Sequence, residues 1–364
     1  MSSTKEDATA ATAEQLSSMS LGESAEREKS ETKPNKKNGT NQTKLLCSMC
    51  GEKSNTLKKC NGCLCVWYCD KKCQNKHRKE HKKECRPIKK VLDERGGKLD
   101  LGTELDIGPL EMLPPREECP ICMHVLPIHT MLQTYFPCCG KMICSGCEFQ
   151  HQLKSAEQAA KREQKPPEPT CAFCREPISA SDEEKLAKLR KRIEQKDPKA
   201  LHNMAMHYKD GSFGLPVDQT RCIDLLRQSA GLGFPGAQYE LGGFHRTGDM
   251  GLDQNEEEGI KYLEKAAEGG NIWAQDTLGA GEDENGDHVA AMRHWRFSAS
   301  AGYKLSMEGL IGCFENGLLH HRDLAETLQA FYRSRSELWS EDRIQHIAYL
   351  KMTGKYEAQY EDYS

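Results

Sequence analysis

Four pairings of metal-binding residue types follow one another early in the chain: Cys47-x-x-Cys50, Cys60-x-x-Cys63, Cys69-x-x-x-Cys73 and His81-x-x-x-Cys85. A Cys-x-x-Cys turn can present two thiolates to one metal at about 2.3 Å. Spacing of i, i+4 puts His81 and Cys85 on one face of a helix. Eight ligands suffice for two tetrahedral sites. A second set lies downstream: Cys119-x-x-Cys122, the stretch "FPCCGKMICSGC" from Phe136 to Cys147, and Cys171-x-x-Cys174. It contains an adjacent pair, Cys138 and Cys139. Neighbouring side chains diverge in extended backbone, so both reach one metal only at a turn, which Gly140 permits. The fallback is that one of the pair is a bystander and His124, His129 or His151 completes the site. Of the 18 cysteines only Cys222 and Cys313 lie outside the two clusters; they read as small buried apolar residues.

The elements around these residues are short. About forty residues cannot build a sufficient apolar core, so metal must supply the folding energy, on the order of 10 kcal/mol per structural site. "CQNKHRKEHKKEC" reads as a short, exposed, Lys-rich helix. His77, one turn before His81, and Cys65 read as non-ligands, because eight ligands are already present. The Lys71 to Lys90 run reads as a solvated helix face rather than a nucleic-acid contact. Residues 1–44 are polar and read as disordered. Residues 45–86 form the first zinc module, 87–116 a linker and 117–178 the second module. Residues 179–198 form a connecting helix opened by a Ser181-x-x-Glu184 capping box. Residues 338–364 form a C-terminal tail whose polar end, "YEAQYEDYS", frays.

From Ala200 the chain repeats itself. Ala200, Met204, Ala205, Gly211, Gly214, Ala230 and Gly233 recur 37 residues later as Ala237, Leu241, Gly242, Gly248, Gly251, Ala267 and Gly270. A third unit begins at Ala274 and a fourth at Met307. A period of this size means stacked helix pairs with a face for protein ligands. His202, His207, His245, His288 and His294 share no common spacing and read as surface or packing residues. "DQNEEEGIKYLEKAAEGGN" resembles the second helix of Sel-one-like repeats, and the resemblance covers about residues 199–337.

Two further resemblances rest on the cysteine clusters. "CVWYCDKKCQNKHRKEHKKEC" resembles the MYND zinc-finger family. That resemblance assigns Cys47, Cys50, Cys69 and Cys73 to one zinc and Cys60, Cys63, His81 and Cys85 to another. It also implies binding of short Pro-rich peptides, for which Trp67 offers an aromatic surface and Tyr68 packs the core. The order of the second cluster resembles a RING domain. Its "FPCCGKMICSGC" is similar to the eight-cysteine variant in the ubiquitin ligase subunit of the CCR4–NOT deadenylase complex, with one residue deleted. This resemblance implies cross-bracing: Cys119, Cys122, Cys144 and Cys147 on one zinc, and Cys138, Cys139, Cys171 and Cys174 on the other. Lys141 and Arg175 would offset the thiolate charge. It further implies a contact for a ubiquitin-conjugating enzyme at Ile121, Leu153 and Pro177, with Arg175 as a bridging cation. Ala172 departs from the proline usual at its position.

Composition narrows the function. With 51 Lys+Arg against 55 Asp+Glu, the chain is no general nucleic-acid or membrane binder. No apolar run approaches the ~18 residues of a span, and the N-terminus lacks a signal peptide's apolar core. The expected fold is multidomain: two small cross-braced zinc modules, then an all-α solenoid. The expected protein binds four Zn2+, is soluble and cytoplasmic or nuclear, and works through protein partners. No nucleotide loop, nucleophile elbow or His-Glu-x-x-His is present. A ubiquitin ligase that selects substrates through its repeats and finger is the leading reading. A non-catalytic scaffold is the alternative.

Overall fold

The computed structural model describes residues 46–355, apart from 55, 129–131, 163, 165–167 and 179–180. The expected disordered tail, His129 and "YEAQYEDYS" lie outside the described residues.

The first module is a hairpin and a helix. Strands β1 (Lys58–Lys59) and β2 (Trp67–Tyr68) pair antiparallel, Lys59 opposite Trp67. Asp70 caps α1 (Lys71–Glu94) by accepting from the Cys73 amide. The helix runs past Arg86, where the sequence reading ended the module, and through Pro87. It continues because Ile88, Val91 and Leu92 form a buried stripe below His77, His81 and Glu84. It ends at left-handed Gly96 and Gly97, and Arg95 ties that end to the solenoid by donating to the Phe314 carbonyl at 2.5 Å.

Of residues 87–116, read as a linker, the first eight belong to α1 and those from 96 on are a strap laid on the later helices. Leu105 donates its amide to the Leu318 carbonyl. Ile107 is 2% exposed, and Arg293 and Arg296 donate to the carbonyls of Ile107 and Gly108. The second cysteine module follows, with β3 (Gln133–Phe136) and β4 (Lys141–Cys144) as an antiparallel hairpin and α2 (Ser145–Lys161).

Ser181 caps α3 (Asp182–Glu194) as its capping box requires. The repeats are α4 (Pro198–Asp210), α5 (Gln219–Gly231), α6 (Pro235–Thr247), α7 (Glu256–Glu268), α8 (Ile272–Glu284), α9 (His288–Ser300), α10 (Lys304–Glu315) and α11 (His321–Leu338). The 37-residue offset is repeated in the caps: Asp218 opens α5 and Asn255 opens α7, while left-handed Gly211 and Gly248 close α4 and α6. Gly242 and Gly259 let α6 and α7 touch, since a Cβ on Gly242 would lie 2.8 Å from Leu263 Cγ. A final helix, α12 (Glu341–Met352), occupies part of the expected tail. It packs on α2, where Phe149 lies against His346 and Tyr349.

The first module shares a core with the end of the solenoid. Cys63, Val66, Tyr68, Ile88 and Ile107 belong to the same buried cluster as Leu310, Phe314, Leu324 and Phe331. Among the described residues no helix is long and apolar enough to cross a membrane.

Candidate metal centres and their surroundings

Four of the five Cys-x-x-Cys pairs are turns with one conformational demand, while Cys144-x-x-Cys147 leads into α2. The amide after the second cysteine bonds back to the first cysteine's carbonyl, and that residue takes a left-handed backbone. This holds for Gly51, Leu64, Met123 and Arg175, with φ of 72°, 57°, 57° and 65°. The adjacent cysteines obey the same geometry. Gly140, at φ 68°, donates to the Phe136 carbonyl four residues back. Phe136 therefore stands where the first cysteine of a normal turn would be. Cys139 holds the usual second position, and Cys138 supplies its thiol from inside the turn.

The sixteen predicted ligands fall into four groups whose ligand atoms lie within 4.8 Å of one another. They are Cys47, Cys50, Cys69 and Cys73; Cys60, Cys63, His81 and Cys85; Cys119, Cys122, Cys144 and Cys147; and Cys138, Cys139, Cys171 and Cys174. Sulfur separations test the fit. A tetrahedron with bonds of about 2.3 Å has edges of about 3.8 Å. The Cys50–Cys69 distance is 3.7 Å; Cys60–Cys85, Cys122–Cys144 and Cys139–Cys171 are each 3.8 Å. A disulfide would need about 2.05 Å. The donor sets and spacings suit zinc.

The surroundings of His81 were not visible in the sequence. Its Nε2 lies 3.3 Å from Cys63 Sγ, which leaves the proton on Nδ1. Nδ1 donates to the Tyr332 hydroxyl at 3.1 Å, and that hydroxyl donates to Glu84 at 2.6 Å. All three residues are buried. Burial and the Glu84 carboxylate hold the Tyr332 hydroxyl well above a phenol's ordinary range. Such partners fix the tautomer and orientation of a metal-bound imidazole.

The residues set aside as non-ligands have other partners. His77 Nδ1 lies 3.0 Å from the Tyr68 hydroxyl, and its ring stacks on His81. Burial and the neighbouring His81 hold His77 down to about 4. Cys65 Sγ lies 3.3 Å from His321 Nε2. His124 turns to the Cys122 carbonyl and His151 to Thr170, so neither is needed by the second module. Cys222 and Cys313 are buried.

Cations stand beside the second module's sites. Lys141 lies over the Phe173 ring and Arg175 bonds His151. Buried Arg343, from α12, sits at Cys122 Sγ (3.7 Å) and donates to the Val125 carbonyl at 2.7 Å. Arg192, from α3, donates to the carbonyls of Pro137 and Cys138.

The expected contact residues differ in exposure. Ile121 is 40% exposed, and Arg175 and Pro177 are exposed. Leu153 is half-buried; by helical spacing it continues the Gly146, Phe149, Gln150 face, which α12 covers through Arg343, His346 and Gln345. Trp67, under Lys59 at 4.8 Å, lines a cleft of about 290 Å³ with Leu64, Arg322 and Gln329.

A fifth group, Asp100, Glu104 and His320, also lies within 4.8 Å. Its carboxylates accept from the amides of Leu101, Gly102 and His321. It sits at the positive N-terminal end of α11, which disfavours a cation, and it reads as a tie between strap and helix.

Comparison with known proteins agrees with both ends of the chain. Residues 47–85 match the MYND finger, and residues 198–234 and 235–271 each match the Sel1 repeat. Two solved structures are similar. A Sel1 repeat protein from Oxalobacter formigenes is 28% identical, with 34% of this chain covering 96% of that one at a TM-score of 0.32. The protective antigen c5321 of uropathogenic Escherichia coli strains, which displays an SLR fold, is 19% identical. There 58% of this chain covers 42% of the other, at a TM-score of 0.36. The chain is thus a cysteine-rich, zinc-binding N-terminal region followed by a helical solenoid of Sel1 type, and its finger and repeats are protein-interaction modules.

Proposed function

We propose that the chain is a zinc-dependent protein-interaction factor whose second module acts as a RING-type ubiquitin ligase, recruiting a ubiquitin-conjugating enzyme while the finger and repeats select protein substrates. The observation that carries this reading is the alternation of the second cluster's ligands. The first and third pairs meet at one site, and the adjacent cysteines meet Cys171 and Cys174 at the other. Four Zn2+ then fill the chain, with the sixteen residues above as ligands. Ile121, Arg175 and Pro177 remain outward on the first and last turns, where a conjugating enzyme could be held. Sixteen thiols and imidazoles kept for metal fit a reducing compartment, the cytoplasm or nucleus.

A second reading is a non-catalytic scaffold. It is favoured by α12, which covers the α2 face that carries Leu153, and by Ala172, buried at 7% exposure. Ubiquitin discharge from a panel of charged conjugating enzymes separates the two. Discharge by the zinc-loaded chain, lost with Ile121→Ala or Arg175→Ala at unchanged zinc content, establishes the ligase. Absence of discharge across the panel gives the scaffold.

A further inference from the structure

The strap does more than connect. After Ile107 and Gly108 are gripped by two arginines, it runs to a cleft of about 680 Å³ between the second cysteine module and the N-terminal ends of α4, α6, α8 and α10. Pro114 and Pro115 form one rim. Pro114 lies so close to Gly270 that a Cβ there would meet its Cγ at 3.2 Å. Arg116 pins the strap beyond them by donating to the Ala301 carbonyl at 2.9 Å. The cleft continues past the two prolines along Phe234, Tyr239, Trp273 and Tyr303. The Tyr239 and Trp273 rings are 6.1 Å apart and tilted. Proline rings pack on aromatic faces, and the polyproline II helix is already extended, so little order is lost on binding.

We propose that this cleft binds an extended proline-rich segment of a partner protein, continuing the path that Pro114 and Pro115 begin. The inference rests on the protein-interaction reading of the repeats but not on the ligase. The ionic groups at the cleft are paired within the chain, Lys199 with Glu117 and Glu240 with Lys209. A neutral ligand is therefore favoured over a charged one. The site is separate from the Trp67 cleft on the finger, with which it shares no lining residue.

The probe is fluorescein-labelled decaproline titrated into the zinc-loaded full chain, with an alternating Gly-Ser decamer as control and fluorescence polarisation as readout. Decaproline should bind and the control should not. Trp273→Ala and Tyr239→Ser should each weaken binding at this cleft about tenfold, the effect of losing one aromatic contact, while Trp67→Ala, which removes only the finger's own peptide surface, should leave the cross-link at this cleft in place. Decaproline carrying a benzophenone should cross-link wild-type chain at 234–240 or 271–273, which keeps the test valid if a variant misfolds. Equal binding of both peptides, no binding, or cross-links and mutational loss confined to Trp67 and its neighbours would overturn the proposal. The discharge assay does not bear on any of these outcomes.

Discussion

At the scale of single residues, the zinc ligands are held by groups far away in sequence. Tyr332 is 251 residues from His81 yet accepts a hydrogen bond from its Nδ1 and donates one to Glu84. Tyr332→Phe removes the hydroxyl from between two buried polar groups and leaves both without it. The cost should be about 1–3 kcal/mol in stability, with zinc affinity at the second site lowered about 10–100-fold. Chelator-driven zinc release, followed with a colorimetric indicator, measures this; a wild-type release rate would show that Tyr332 only packs. Cys138 and Cys139 raise a different question. If both are ligands, Cys138→Ser and Cys139→Ser should each take one zinc from the native mass of the full chain. A count unaffected by one of them would identify the bystander. The types and spacings of the sixteen candidate ligands, and the four groups they form, were readable from the sequence, because metal chemistry admits few residues. Their supports were not: an arginine, a tyrosine or a glutamate carries no spacing signal when its partner lies hundreds of residues away.

Among the elements, α12 was the one missed. The sequence reading left it inside the 338–364 tail, and of its residues only Arg343 and Ile347 are buried. Its position depends instead on α2. Gly146 lies so near Arg343 that a Cβ would meet the Arg343 backbone at 2.7 Å, and His346 Nδ1 lies 3.0 Å from the Ser145 hydroxyl. Gly146→Ala should push α12 away and abolish amide protection across 341–352 in hydrogen exchange while zinc stays bound. Protection that survives would mean that the backbone shifts to accept the methyl. Acid should act on the same contact. Burial holds the His346 imidazole down to about 4, against about 6.5 in an unfolded chain. Between those values the unfolded state binds more protons, so stability is full above about pH 6.5 and falls as pH drops towards 4. His346→Gln should flatten that slope in denaturant titrations at pH 7 and pH 5. His202, also held near 4 by burial, contributes a slope of the same sign, so the difference between wild type and variant is the quantity to read.

For the whole molecule, the sequence left open whether the modules dock or swing on linkers, and the packing docks the finger on the solenoid. The finger's hairpin and α1 lie in one apolar cluster with α9, α10 and α11. Gln329 donates to the Cys65 carbonyl and His321 lies 2.9 Å from the Cys63 carbonyl. The turn around Cys63 therefore forms part of the solenoid's end wall. The repeat period was legible because each unit uses the same caps and small residues; the docking was not, because an apolar face does not declare which neighbour will cover it. Zinc removal should distinguish a docked finger from a tethered one. A tethered finger would lose α1 alone and leave the solenoid's thermal transition in place. A docked finger exposes Phe314, Leu324 and Phe331 when its own fold fails, so chelation should also destabilise the last helix pairs. The expected result is loss of helical circular dichroism beyond the share of α1 and a lower, broader melt, with hydrogen exchange rising in 304–338 and remaining slow in 198–247. If exchange in 304–338 stays slow after zinc is stripped, the finger and the solenoid fold independently and the shared core contributes little to either.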